Sequence, residues 1–300
     1  METELYMGSR IDSEVSPDTP EVVRDLEQRC RRHETPCGEG TLVWRSWGTG
    51  KPLVLLHGSH GSWLHWVRNI EAFEGSRQVI VPDLPGYGES APPPDVDSLD
   101  SHAEALAAGL RLLLPAEDPV DIVGFSLGGL LGAHLAALAP GLVRRLVVIG
   151  SGGLDTPMPE VHLRIRPQRG LTGEELREAR RHNLAAMMLH HLDNVDDLAL
   201  WIDANTARPT SRAHYQVLPD KLLLVLPRTT TQVDALWGEH DGLHPGPELN
   251  AAVLRELHPG LELRTVPGVG HWCMYEGAAD FNRHLRELLE LPLRTVKTRV

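Results

Sequence analysis

The chain has 300 residues, 41% hydrophobic and 23% charged, and a formal charge of −12 from 29 Lys+Arg against 41 Asp+Glu. That is ample apolar material for one large domain or a domain with an insertion, and the acidic balance works against nucleic acid or an anionic membrane as partner. Three cysteines without framework spacing point to a reducing, cytoplasmic setting. No stretch reaches the about 18 apolar residues of a membrane span, and the charged N-terminal residues hold no apolar signal core.

Residues 1–16 read as an unstructured lead into a helix beginning at Thr19 and Pro20, with Val22, Val23, Leu26 and Cys30 on one face. This amphipathic helix docks on the body, or makes a homodimer or lid-edge contact, and residues 1–40 form an N-terminal extension. From residue 41 apolar strands alternate with amphipathic helices. Strands are expected at 42–47, 53–56, 78–81, 120–125 and 146–149, with helices from about Trp63, from Ser101 to Leu114, and from Leu127 to Ala139. Such alternation predicts an α/β fold with a mostly parallel, doubly wound sheet. The turn Asp83 to Gly88 is a rigid loop, and the proline run at 91–95 is a connector.

After residue 149, about eighty residues read as helices rather than strands. Thr172 with Glu175 forms a capping box, and Leu176, Ala179, Leu184, Met187 and Met188 mark one face of the helix it opens. A second helix runs from Val195 to Ala207. An insertion here, residues 154–225, lies over the carboxyl ends of the strands as a lid, leaving residues 41–153 and 226–300 as the core. His190-His191 has no third ligand at a useful spacing, so it is a polar helix end and no metal is expected.

Gly124-Phe125-Ser126-Leu127-Gly128 lies between the 120–125 strand and a small-residue helix. A serine there is forced into a tight turn that projects its hydroxyl above a helix N-terminus, where a nucleophile belongs. Serine needs a base, and the base needs a carboxylate to fix its tautomer. Val233 to Trp237 reads as a buried strand followed by Gly238-Glu239-His240-Asp241-Gly242, and Asp241 is the chosen acid, with Glu239 and Asp234 competing. The strand at 261–266 leads into Pro267-Gly268-Val269-Gly270-His271-Trp272, and His271 is the chosen base over His240, His244 and His258. Function at the carboxyl ends of parallel strands selects all three positions. The oxyanion donors are the backbone N–H of Leu127 and that of Ser59 in the loop His57 to Trp63, with His60 as the alternative to Ser59 and His57 as a brace. Cys273 reads as a packed thiol, and the Gly-rich loop has no phosphate-binding signature.

The ordered set HGSHGSW, VPDLPGYGES, GFSLGG, WGEHD and GHW resembles the α/β-hydrolase fold superfamily across residues 41–292. Within it, HGSHGSWLHWVRNI and GHWCMYEGAADFNRHL are similar to the meta-cleavage product hydrolases, which cleave carbon–carbon bonds in ring-fission products. The resemblance implies Ser126, Asp241 and His271 as triad, Ser59 and Leu127 as oxyanion donors, and Trp272 as a pocket residue. His60, Trp63, Phe125 and Met188 complete the expected substrate contacts. Two departures stand out: those enzymes carry Asn where this chain has Phe125, and they hold the substrate carboxylate with a lid Arg, for which Arg208 and Arg212 are the nearby candidates. The expected activity is cofactor-independent hydrolysis of a small carboxylic ester, with carbon–carbon cleavage and a non-catalytic small-molecule receptor as alternatives.

Overall fold

The computed structural model describes residues 18–115, 118–160, 165–206 and 219–294. Its frame is an eight-stranded sheet in the order β1-β2-β4-β3-β5-β6-β7-β8. The helix α1 (Glu21–Arg29) buries Val23 and Leu26 and leads into β1 (Arg31–Cys37), which pairs antiparallel with β2 (Gly40–Trp47). The sheet therefore starts inside the stretch expected to be an extension. Arg31-Arg32-His33-Glu34 and Pro36 hid this strand, because an edge strand tolerates charges and proline that a central one excludes.

The strands β3 (Lys51–Leu56), β4 (Arg77–Pro82), β5 (Val120–Phe125), β6 (Val143–Ile149), β7 (Gln232–Gly238) and β8 (Leu263–Val266) run parallel, while β2 pairs antiparallel with β4. Alternation within one strand shows how both faces are used: Val54 and Leu56 join one buried cluster, Leu53 and Leu55 the other. The first cluster lies under α3 (Leu99–Leu113) and α4 (Leu127–Leu138). The second lies under α1, α2 (Ile70–Glu74) and α10 (Ala278–Glu290).

Between β6 and β7 the chain leaves the sheet and forms α5 (Gly173–Met187), α6 (Asp197–Asn205) and the short α7 (Lys221–Val225). Leu184, Ala199, Leu200 and Ile202 of this insertion join the second cluster. The Thr172 capping box is not formed: Thr172 is the N-cap by position, but its side chain makes no capping hydrogen bond. Asp196 does cap α6, accepting from the Ala199 N–H at 2.8 Å. The strands β7 and β8 are followed by α8 (Pro247–Leu257) and by α9 (Cys273–Glu276), respectively. Among the described residues no helix is long and apolar enough to cross a membrane. Cys30, Cys37 and Cys273 are all free.

Candidate active site

The turn from β5 into α4 puts Ser126 at φ 52°, ψ −116°, outside the ordinary regions for a non-glycine residue. Such backbone costs about 1–3 kcal/mol and persists only where the surroundings impose it. Here they do. The Ser126 N–H donates to Ile149 O at 2.8 Å, and its carbonyl accepts from the Gly129 N–H and Ser151 Oγ, both at 3.0 Å. Both flanking glycines are sterically required: a Cβ on Gly124 would stand 2.4 Å from Gly128 O, and one on Gly128 would stand 2.4 Å from Leu56 O. Ser126 is the partly exposed residue at the centre of this turn.

Asp241 and His271, on the loops after β7 and β8, are each 2% exposed and joined by a His271 Nδ1 to Asp241 Oδ2 hydrogen bond of 2.8 Å. The other carboxylate oxygen accepts from the Leu243 and His244 N–H groups at 2.9 Å. Burial pushes the Asp241 pKa up, but His271 beside it and the His244 N–H prevail and hold it below the ordinary carboxylate value. The competing acids lie elsewhere. Glu239 is exposed and accepts from the Gly268 N–H at 2.8 Å, and Asp234 is buried against Arg145.

The Phe125 ring packs 4.7 Å from the His271 ring, centroid to centroid, so this imidazole lies against the residue preceding the elbow serine. Gly150 gives a second fix: a Cβ there would stand 2.9 Å from Asp241 Oδ2 and 3.0 Å from His271 Nδ1, one residue beyond the Ile149 that anchors Ser126. Among the described residues no hydrogen bond joins Ser126 Oγ to His271, a contact that hydrolases commonly tighten only in the Michaelis complex.

Opposite the elbow, the Gly58 peptide is gripped by two imidazoles. The His57 Nδ1–H donates to Gly58 O at 2.7 Å while its Nε2 accepts from the Leu84 N–H at 2.9 Å. The His65 Nδ1 accepts from the Gly58 N–H at 3.3 Å. Each bond fixes a neutral tautomer, and burial lowers the pKa of both rings. His57 is thus the brace the sequence suggested. His65, flanked by the rings of Phe125 and Trp272, was not anticipated, because only the folded loop brings it onto Gly58. A Cβ on Gly58 would stand 3.2 Å from Ser126 Cβ, so this loop lies directly over the serine. Asp83 pins the next residues, accepting from the Trp63 N–H at 2.8 Å.

The expected contact residues separate. Ser59 is partly exposed and its N–H has no acceptor among the described residues, while His60 is exposed at φ 56°. Trp272 is 1% exposed, donates from Nε1 to His65 O at 3.0 Å and stacks on Tyr275 at 4.1 Å. Met188, at the end of α5, accepts from the Trp272 N–H at 2.7 Å. Trp63 has its ring 5.8 Å from Trp47 and under the Arg45 guanidinium at 5.0 Å, which is a packing role. Arg208 and Arg212 lie outside the described residues. Burial pushes the Cys273 thiol well up, so it is held as an inert thiol. Among the described residues no group of three His, Cys, Asp or Glu side chains is arranged to hold a metal.

Comparison with known proteins agrees with this architecture. Residues 51–191 match the family described as alpha/beta hydrolase fold. A relative from Pseudomonas putida, the dihydrolipoyllysine-residue acetyltransferase component of an acetoin cleaving system, is 30% identical over 94% of this chain and 76% of its own length. This chain belongs to the α/β-hydrolase fold family. Similar proteins include the pimeloyl-[acyl-carrier protein] methyl ester esterase of Vibrio campbellii, 40% identical over 37% of this chain and 41% of that protein. The match thus spans only about two fifths of that esterase's length. The solved structure of a meta-cleavage product hydrolase from Pseudomonas fluorescens shares the fold at TM-score 0.69 and 23% identity, covering 86% of this chain and 97% of that one.

Buried histidines lower the stability of this protein in acid, and two of them have a defined window. Burial pushes both His244, whose ring is 5.5 Å from His271, and His102 in α3 down from 6.5 to about 4. Above pH about 6.5 the unfolded chain leaves these rings neutral too, so they cost nothing. Below it the unfolded rings take up protons that the folded ones refuse until about pH 4, and each removes about 1.4 kcal/mol per pH unit across that window. Thermal unfolding followed at pH 7, 6 and 5 is expected to show a falling midpoint, and a flat profile would contradict the burial assigned to them.

Proposed function

We propose that this protein is a cofactor-independent serine hydrolase of small carboxylic esters. The observation that carries the reading is the buried His271 Nδ1 to Asp241 Oδ2 bond of 2.8 Å set against the Phe125 ring. With Nδ1 donating to the carboxylate, Nε2 is the basic nitrogen left to act. In the proposed cycle His271 takes the Ser126 Oγ proton as the oxygen attacks the ester carbonyl. The N–H groups of Leu127 and Ser59 hold the oxyanion, Leu127 because the first N–H groups of α4 have no partner within the helix. His271 then gives its proton to the departing alcohol, takes another from water, and the resulting attack on the acyl-enzyme frees the acid and restores Ser126. The segment carrying α5 and α6 serves as the lid, and Phe125, Trp272 and Met188 shape an apolar wall beneath it.

A second reading, carbon–carbon cleavage of a 2-hydroxy-6-oxo-dienoate, is favoured by the HGSHGSWLHWVRNI and GHWCMYEGAADFNRHL segments. The two are separated by rate. A short p-nitrophenyl ester is expected to be the better substrate by about tenfold or more in kcat/KM. Turnover of the dienoate in preference to the ester would replace the first reading with the second.

A further inference from the structure

Glu276 ends α9, five residues beyond His271, and belongs to none of the roles above. Its Oε1 accepts from the His190 N–H at 3.0 Å, the His191 N–H at 3.0 Å and Asn194 Nδ2 at 2.8 Å. Its Oε2 accepts from the Gly270 N–H at 2.6 Å and again from the His190 N–H at 2.9 Å. One carboxylate therefore ties the residue preceding His271 to the segment that follows α5. On the other side of His271, the Trp272 N–H donates to Met188 O at 2.7 Å. The contact is close-packed, since a Cβ on Gly270 would stand 2.7 Å from His190 N. The same segment reaches the acid's loop, where the His190 ring stacks on His240 at 4.0 Å, and the His240 N–H donates to Val269 O at 2.9 Å.

We propose that Glu276 is a positioning residue that fastens the end of the α5 segment to the His271 loop and so holds the imidazole in working register. This rests on the serine-hydrolase reading only where turnover is the readout. Glu276 suits the task because a carboxylate accepts at both oxygens, and every one of its partners is a donor. Glutamine keeps the shape and breaks the device: whichever way the amide turns, its NH2 faces either Gly270 or the insertion's N–H groups, and one side is released.

The test is Glu276→Gln, followed by kcat and KM on a short p-nitrophenyl ester and by the low-field proton resonance of the His271 Nδ1–Asp241 hydrogen bond. The expected result is a kcat about tenfold lower with KM within about threefold, and a weakened or broadened resonance. A kcat and resonance equal to those of the unaltered protein overturn the proposal, as does a drop in melting temperature with both unchanged. If E276Q does not fold, Asn194→Ala takes its place, removing one contact and leaving Gly270 held, and an unaltered kcat and resonance again overturn it. If the unaltered protein hydrolyses no ester, the serine-hydrolase reading fails, and the resonance alone decides the role of Glu276.

Discussion

Replacing Ser126 with Ala is expected to lower kcat on a p-nitrophenyl ester by a factor on the order of a million, since loss of the nucleophile removes the whole acyl-enzyme route. The fold should survive. The Ser126 hydrogen bonds that fix the turn are made by its backbone, through its N–H to Ile149 and its carbonyl with Gly129 and Ser151. An alanine meets the same positive φ of 52° with no greater steric demand. Circular dichroism and the melting temperature should therefore match the parent. A fluorophosphonate probe should add one adduct to the parent and none to the variant. Undiminished turnover in S126A would remove the mechanism, and an adduct on another residue would move the nucleophile there.

The largest stability effect is expected at Asp234, whose carboxylate is fully buried and saturated. Its Oδ2 accepts from Arg145 at 2.5 Å and from Gln232 Nε2 at 2.8 Å, while Oδ1 accepts from the Glu262 N–H at 3.1 Å and from Arg294. Arg145 is itself 0% exposed and its other acceptor is the neutral Leu291 carbonyl at 2.6 Å, so Asp234→Ala leaves its buried charge without the carboxylate that balances it. Breaking a buried pair from one side costs about 3–5 kcal/mol, far more than the pair contributes when intact. For a chain of this size that is a fall in melting temperature of roughly 10 °C. Urea unfolding that shows a loss under about 1 kcal/mol would mean that water or the Leu291 carbonyl satisfies Arg145 without the carboxylate. Unlike S126A, D234A should leave the kinetic constants of the surviving folded protein near those of the parent, because Asp234 lies inside β7 and not at its functional end.

The parts legible in the sequence were those with a local signal. The glycines around Ser126, the apolar run of β7 before Asp241 and the Gly-rich loop before His271 each announce a strand ending in a turn, and the fold brings those ends to one edge. What escaped was set by distant partners. The charges and proline of β1 resemble a loop until β2 lies beside them. Trp63 sits in a glycine-rich loop that looks like a pocket rim, yet Trp47 and Arg45 claim its ring. His65 and Glu276 carry no pattern of their own, since their partners lie 7 residues away for His65 and from 6 to 86 residues away for Glu276. Thr172 with Glu175 shows the opposite failure: the helix begins where the pair said, but without the bond that motivated the expectation.

The insertion departs from β6 and returns at β7, and these strands are hydrogen-bonded neighbours, Leu146 beside Val233. Because the two strands run parallel, the insertion leaves at the carboxyl end of β6, beside Leu236, and must return to the amino end of β7, beside Arg145, a span that the sheet itself holds fixed. Lengthening, shortening or exchanging what lies between them changes the closure entropy by only about 0.6 kcal/mol per doubling of length. Such a scaffold can carry one insertion after another beside an unaltered sheet, so the segment between β6 and β7 is free to vary while the frame that holds Ser126, Asp241 and His271 stays as it is.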